Sequence, residues 1–268
     1  AVDVKIFADT TTATMAMKAG EVDEMNVGSA EDMLDLKNSG FIIQESIGAN
    51  ASLYPDGANA DSPFSDVRVR KALSHAIDRQ TLADSLGYGY YSPTYQLYDE
   101  WSELAHNPNL EGQPYDPAKA RALLAEAGYP NGFKTSIIVG TAAGKDLPLA
   151  IQDMLADIGI QAEINEVTTA KYSELSANGW HNGILCLNNP LGSGHQDPSQ
   201  NMINGYMSRT NAVSVYKPDD LMNIFDQAKT ELDLVKRKAL FQEIMKKVVD
   251  EYCIVAQLYI IPEFRAVN

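Results

Sequence analysis

Apolar and polar residues alternate at Val2, Val4 and Ile6, the two-residue period of a half-buried strand. Thr10 to Ala19 then reads as a helix, with Gly20 placed to cap its C-terminus. Glu21 to Met25 fits a short strand, and Ser29 with Asp32 resembles a capping box that opens a short helix ending at Gly40. Phe41-Ile42-Ile43 reads as a further strand. After Pro63, Asp66 can accept hydrogen bonds from the free amides of a helix start, and Val69, Leu73, Ala76 and Ile77 share one face. Gly87 ends that helical region.

The pattern is sharpest in the middle of the chain. Asp116 is an N-cap and Pro117 sits at the first helical position, where its missing N–H costs nothing. Ala120, Leu123, Leu124 and Ala127 line one face of the helix, and Gly128 closes it. Phe133 to Val139 predicts a strand. Leu147, Ala150, Ile151, Met154, Leu155 and Ile158 predict a second amphipathic helix closed by Gly159, and Ile160, Ala162 and Ile164 alternate as the next strand. Ile184 to Leu187 is another strand. Leu221, Ile224, Phe225 and Ala228 mark a helix, and Leu240, Ile244 and Val248 mark a longer one after Asp233. Cys253 to Ile261 predicts a last strand, stopped by Pro262. This alternation implies an α/β fold of mixed sheets flanked by helices. Two stretches carry no period, Tyr88 to Pro117 and Asn188 to Tyr216; irregular segments of that length inside a domain are usually functional.

Composition narrows the classes. The chain has 268 residues, 45% of them hydrophobic, enough for one large domain or about two smaller units. A formal net charge of -15 opposes nucleic-acid phosphates and anionic lipid. Cys186 and Cys253 both sit in apolar runs, which favours buried free thiols, and neither forms a CxxC pair. No stretch has the length of a transmembrane helix. The chain opens directly on its strand-like run, so an exported protein would have lost its signal segment.

Catalytic motifs fail on inspection. Gly140-Thr141-Ala142-Ala143-Gly144-Lys145 lies between a strand and a helix, but it is one residue short for a phosphate loop, and Asp146 stands where a magnesium-holding hydroxyl is needed. Of His75, His106, His181 and His195, none forms an HExxH pair, and Gly192-Ser193-Gly194-His195 is not a nucleophile elbow. No catalytic constellation, metal or cofactor is expected.

Four ordered stretches carry a resemblance. They are Pro63-Phe64-Ser65-Asp66-Val67-Arg68-Val69-Arg70-Lys71-Ala72-Leu73 with Ala76-Ile77-Asp78-Arg79; Asp116 to Leu124 with Glu126-Ala127-Gly128-Tyr129-Pro130-Asn131-Gly132-Phe133; Leu155 to Ile160; and Asp233 with Arg237 and the helix to Val249. Together with Met17 to Asp23 they resemble the family 5 solute-binding proteins, the oligopeptide-, dipeptide- and nickel-binding components of ABC importers. The resemblance implies a periplasmic-binding-protein-like fold of class II type, with two lobes closing on a ligand. It makes residues 1–52 a remnant of the first lobe, 53–255 the second, ligand-binding lobe, and 256–268 a strand returning to the first. It implies the C-terminal portion of a longer protein, extracytoplasmic, either periplasmic or a cell-surface lipoprotein. The implied partners are a peptide or other small-molecule ligand and the permease subunits of an ABC transporter, with no nucleic acid and a monomeric state. A hydrolase-type enzyme on a similar scaffold, and a signalling or adhesion module that kept the fold, remain the alternatives.

Ligand contacts are expected from the two irregular stretches, on a shelf formed by Tyr91, Tyr95, Trp180, Asn188, Asn189, His195 and Asp197. Peptide-binding members carry an acidic residue here that pairs with the peptide's amino terminus. In this chain Asn188-Asn189-Pro190 follows the strand, and no acid appears before Asp197. An Asn pair can hydrogen-bond a neutral polar ligand instead.

Overall fold

Side-chain caps fix where most of the helices begin. A computed structural model describes residues 3–7, 9–98, 100–141, 144–190 and 197–268. Asp9 accepts the Thr12 amide to start α1 (Thr10–Lys18), and Ser29 exchanges hydrogen bonds with the amide and carboxylate of Asp32 to start α2 (Ala30–Asn38). Asp66 opens α3 (Val67–His75), Asp78 opens α4 (Arg79–Gly87), and Asp116 with Pro117 opens α5 (Pro117–Glu126). Helix α6 (Asp146–Asp157) begins without a side-chain cap; Thr168 caps α7 (Thr169–Asn178) and Asp197 caps α8 (Pro198–Gly205). Helices α9 (Asp219–Thr230) and α10 (Leu234–Lys246) follow, the last running into a π-turn at Lys247–Glu251.

The strands are β1 (Glu24–Val27), β2 (Ile42–Pro55), β3 (Ser92–Pro93), β4 (Lys134–Gly140), β5 (Gln161–Val167), β6 (Gly183–Pro190) and β7 (Ala256–Val267). They form one mixed sheet in the order β1-β7-β2-β6-β4-β5, with β3 added to β7. Pairings are antiparallel from β1 to β6 and parallel for β6-β4 and β4-β5. Strand alternation divides the core. Ala51, Leu53, Ile137, Val139, Ile184 and Cys186 face a cluster closed by α3 to α6. Tyr54, Ile138 and Leu185 face the opposite cluster, closed by α8, α9 and α10. A third, smaller cluster joins Met17, Met33 and Leu36 of α1 and α2 to Phe264 and Ala266 at the end of β7.

Three local expectations need correction. Residues 3–7 form no strand, and Val4 and Ile6 are exposed; alternation alone gives no ladder without a partner edge. The helical region from Val67 is two helices, because Asp78 takes the Thr81 amide and restarts the chain. The final strand begins at Ala256 and runs through Pro262. Pro262 pairs with Ile47 just where the β2-β7 register shifts, between Ile47 and Ala49. Gly48 makes that crossing possible: a Cβ there would lie 2.5 Å from the Glu263 amide nitrogen and the Ile261 carbonyl oxygen.

The arginines of the first motif differ in fate. Arg68 pairs on the surface with Asp66. Arg70 is buried, its Nε donating to the Tyr252 carbonyl at 2.9 Å and its Nη1 to Phe64 and Ser65 carbonyls at 2.7 and 2.9 Å. Both cysteines are free and buried.

Candidate functional site

Helix α7 leaves its last turn at Gly179, whose φ of 96° is left-handed. A Cβ at that position would come 2.5 Å from Val213 and 2.7 Å from the Ser214 hydroxyl, so glycine lets the 211–215 segment press against the helix end. The Trp180 amide donates to Ser214 Oγ at 2.7 Å, and Ser214 Oγ donates to the Trp180 carbonyl. Lys217 ties the same segment from behind, its amine donating to the Asn211 and Ala212 carbonyls at 2.6 and 2.8 Å. Burial without a carboxylate pushes that amine down to about 8. On the helix itself, Tyr172 donates its hydroxyl to the Cys186 carbonyl of β6 at 2.6 Å, and burial raises its pKa.

These contacts frame a half-open cavity of about 300 Å³. Tyr54, Leu185 and Leu187 of the sheet form its floor, Tyr172, Ser173, Ser176 and Ala177 of α7 one wall, and Trp180, Asn211 and Ala212 the other. It lies beside β6, which runs parallel to β4 and β5; the carboxyl ends of parallel strands are where open α/β sheets receive ligands. An apolar concavity with a few polar groups is the geometry of a small-molecule site.

The residues expected to form a shelf fall in different places. Trp180 lines the cavity, 5% exposed, with its Nε1 donating to the Gly183 carbonyl at 3.1 Å. Asn188 and Asn189 continue β6 directly after Leu187, in register with Ala51 and Asn50 of β2. His195 lies outside the described residues. Asp197 caps α8 through the Ser199 amide and pairs with Arg237; burial opposes its charge, but the Ser199 hydrogen bonds and Arg237 keep its carboxyl below the usual range. Tyr91 stacks on Tyr259 with centroids 5.1 Å apart, between the first and third clusters. Tyr95 packs beneath the Arg79 guanidinium. Neither tyrosine lines the cavity that holds Trp180.

Sequence reasoning missed Tyr54, Tyr172 and Ser176. The usable signal was weak: an aromatic residue in an α7 that has no fully buried side chain. The wall of the cavity also depends on the 211–215 segment docking there, which no local pattern announces.

The three described histidines each meet a protein oxygen. His75 Nδ1 meets the Pro114 carbonyl at 2.7 Å, His106 Nδ1 the Tyr98 carbonyl at 3.3 Å, and His181 Nε2 the surface carboxylate of Asp61 at 3.0 Å. Burial pushes the Cys186 and Cys253 thiols up to about 12 and about 11. Among the described residues no group of three or more His, Cys, Asp or Glu side chains is placed to hold a metal ion. No helix among them is long and apolar enough to cross a membrane.

The chain matches a family model, curated relatives and solved structures. The model of the "bacterial extracellular solute-binding proteins, family 5 Middle" matches residues 1–212. The glutathione-binding protein GsiB of Shigella flexneri serotype 5b is 31% identical over 168 residues, 59% of this chain and 31% of that protein. Heme-binding protein A of Haemophilus influenzae is 33% identical over 135 residues, 49% of this chain and 24% of that protein. Among solved structures, the periplasmic binding protein DppA of Helicobacter pylori, in complex with the peptide STSA, superposes with a TM-score of 0.85 at 22% identity, over 97% of this chain and 51% of that one. The dipeptide-binding protein of a Pseudoalteromonas species, in complex with Met-Leu, gives 0.84 at 20% identity, over 98% and 53%. The matched regions thus amount to about a third or less of these curated relatives and about half of these solved chains.

Proposed function

Since this chain belongs to the bacterial extracellular solute-binding proteins of family 5, we propose that it is part of the capture component of an ABC importer, binding a peptide or other small polar solute outside the cytoplasm and handing it unchanged to permease subunits. The observation that supports this reading most is the cavity against β6. It is concave, mainly apolar and walled by three separate segments. Relatives named for glutathione and heme, and structural neighbours holding peptides, span a wide range of solutes and are named for binding.

The same reading divides the chain between two lobes. Residues 1–52 belong to one, 53–255 to the other, and 256–268 return to the first. The separate cluster of α1, α2 and the end of β7 supports the division, as does the passage of β2 and β7 from that cluster into the larger ones. Trp180, Asn188 and Asn189 would then face the ligand; Tyr91 and Tyr95 would support the lobe from within. The protein is taken as a monomer, free in a periplasm or lipid-anchored at the cell surface, with no nucleic-acid partner.

Native mass spectrometry of the intact, gently purified protein tests this. A non-covalent solute that is released unchanged on denaturation, and that rebinds in calorimetry, is the expected result. Release of a chemically altered product of the supplied solute would sink the reading in favour of a hydrolase-type enzyme. A protein that neither retains nor rebinds any solute would favour a signalling or adhesion module.

A further inference from the structure

The cavity beside β6 has an unusual wall for so acidic a chain. The formal net charge is -15, yet among the described residues no Asp, Glu, Lys, Arg or His lines it. Its polar groups are also largely committed to the protein itself. Tyr172 donates its hydroxyl to the Cys186 carbonyl, Ser176 donates to the Tyr172 carbonyl at 2.9 Å, and Trp180 donates its indole N–H to the Gly183 carbonyl. The Asn211 and Ala212 carbonyls accept from Lys217, which holds the turn and is not part of the lining. Among the described residues, the rest of the lining is ring faces and the Ala177, Leu185 and Leu187 side chains. Ser173 and Asn211 stand at the exposed rim.

Such a surface discriminates by desolvation. A charged or strongly hydrogen-bonding tip entering it would shed its water and find few uncommitted partners, which is heavily penalised. An apolar tip loses nothing by the same move and gains contact with the rings. Size is compatible: an apolar cavity of about 150 Å³ accepts benzene, and this one is about 300 Å³.

We propose that the cavity seats an uncharged, mainly apolar group of the solute, an aromatic ring or a branched alkyl group, while Ser173 and Asn211 hydrogen-bond the neutral polar atoms that follow it. The proposal rests on the solute-binding reading and narrows it to solutes that carry such a group.

Three matched single-ring probes test it on the intact protein: benzamide, benzoate and benzylammonium. Binding is followed by saturation-transfer NMR and by tryptophan fluorescence, in the wild type and in two variants that fill the cavity from half-exposed or exposed positions on α7, Ala177→Phe and Ser173→Trp. Benzamide should bind at least about tenfold more tightly than either ion, a difference of ~1.4 kcal/mol. Both filling variants should weaken it by a similar factor while leaving the thermal midpoint unchanged. Equal binding of an ionic probe would overturn the proposal, as would benzamide binding untouched by both variants or absent at millimolar concentration. Solute retention decides the importer reading separately. A retained solute whose affinity survives both filling variants leaves that reading standing and removes this one; selective benzamide binding in a protein that retains no solute does the reverse.

Discussion

The guanidinium of Arg79 lies 4.7 Å above the ring of Tyr95, and among the described residues no carboxylate pairs with it. Its Nε donates to the Gln257 carbonyl at 2.6 Å, Nη1 to the Ser74 and Gln113 carbonyls at 3.0 and 3.3 Å, and Nη2 to the Ser74 hydroxyl at 2.7 Å. This one side chain joins α3, the long loop before α5, and β7. Burial lowers its pKa to about 10, which still leaves it charged at neutral pH.

A lysine cannot reproduce that fork, so Arg79→Lys strands several buried carbonyls. The expected cost is about 2–4 kcal/mol, the sum of one or two unsatisfied acceptors and the lost stacking. Urea unfolding followed by circular dichroism measures it; a loss under about 0.5 kcal/mol would show the carbonyls re-solvated.

Two glycines of the same motif should respond differently. Gly132 has a φ of 70°, and a Cβ there would fall 1.8 Å from the Gly159 carbonyl oxygen; Gly128 has a φ of 93° and nothing within 4 Å. Gly128→Ala therefore meets only the left-handed penalty of about 1–2 kcal/mol. Gly132→Ala adds a backbone clash and should cost more than about 3 kcal/mol, or prevent folding. Equal unfolding midpoints for the two variants would contradict the close approach.

Lys217 predicts a pH dependence. Burial lowers its pKa to about 8 from 10.5, so between those values the unfolded chain binds a proton that the folded chain has released. Unfolding free energy from this group therefore rises with pH across that window. Lys217→Met should flatten the rise relative to wild type, whatever it does to stability at pH 7. Parallel stability profiles for the two proteins from pH 7.5 to about 10 would refute the assignment.

Neither cysteine should react in the native state. Their thiols are buried and pushed up to about 12 and about 11, so little thiolate exists near neutral pH. Iodoacetamide should label neither residue before unfolding and both of the chain's two cysteines in urea. Fast native labelling of Cys253 would mean that the junction between the π-turn and β7 opens readily.

How much of this was legible depended on range. The Asp116-Pro117 start of α5, the apolar stripe of α6, the strand β4 and the alternating β5 are local patterns, and each forms where the sequence places it. Pro262 misled because its tolerance comes from Gly48, more than two hundred residues away, and from the register shift beside it. Composition alone marks the tyrosine-rich loop as a ligand shelf. Tyr91 against Tyr259 and Tyr95 against Arg79 are packing partners that only the assembled fold supplies. The cavity was the least legible part, since Tyr54, residues 172–180 in and just after α7, and Ala212 converge from three separate segments.

Strands β2 and β7 have a thermodynamic consequence. Each is continuous, and each contributes to both the small cluster and the large one: β2 through Ile43 and then Ala51 and Leu53, β7 through Ala256 and Leu258 and then Phe264 and Ala266. Melting the small cluster alone would strip ladder bonds from strands whose other halves remain buried, at a cost that its few core side chains cannot offset. The small and large clusters share these two strands and so share one cooperative transition, and a calorimeter should record a single heat-absorption peak.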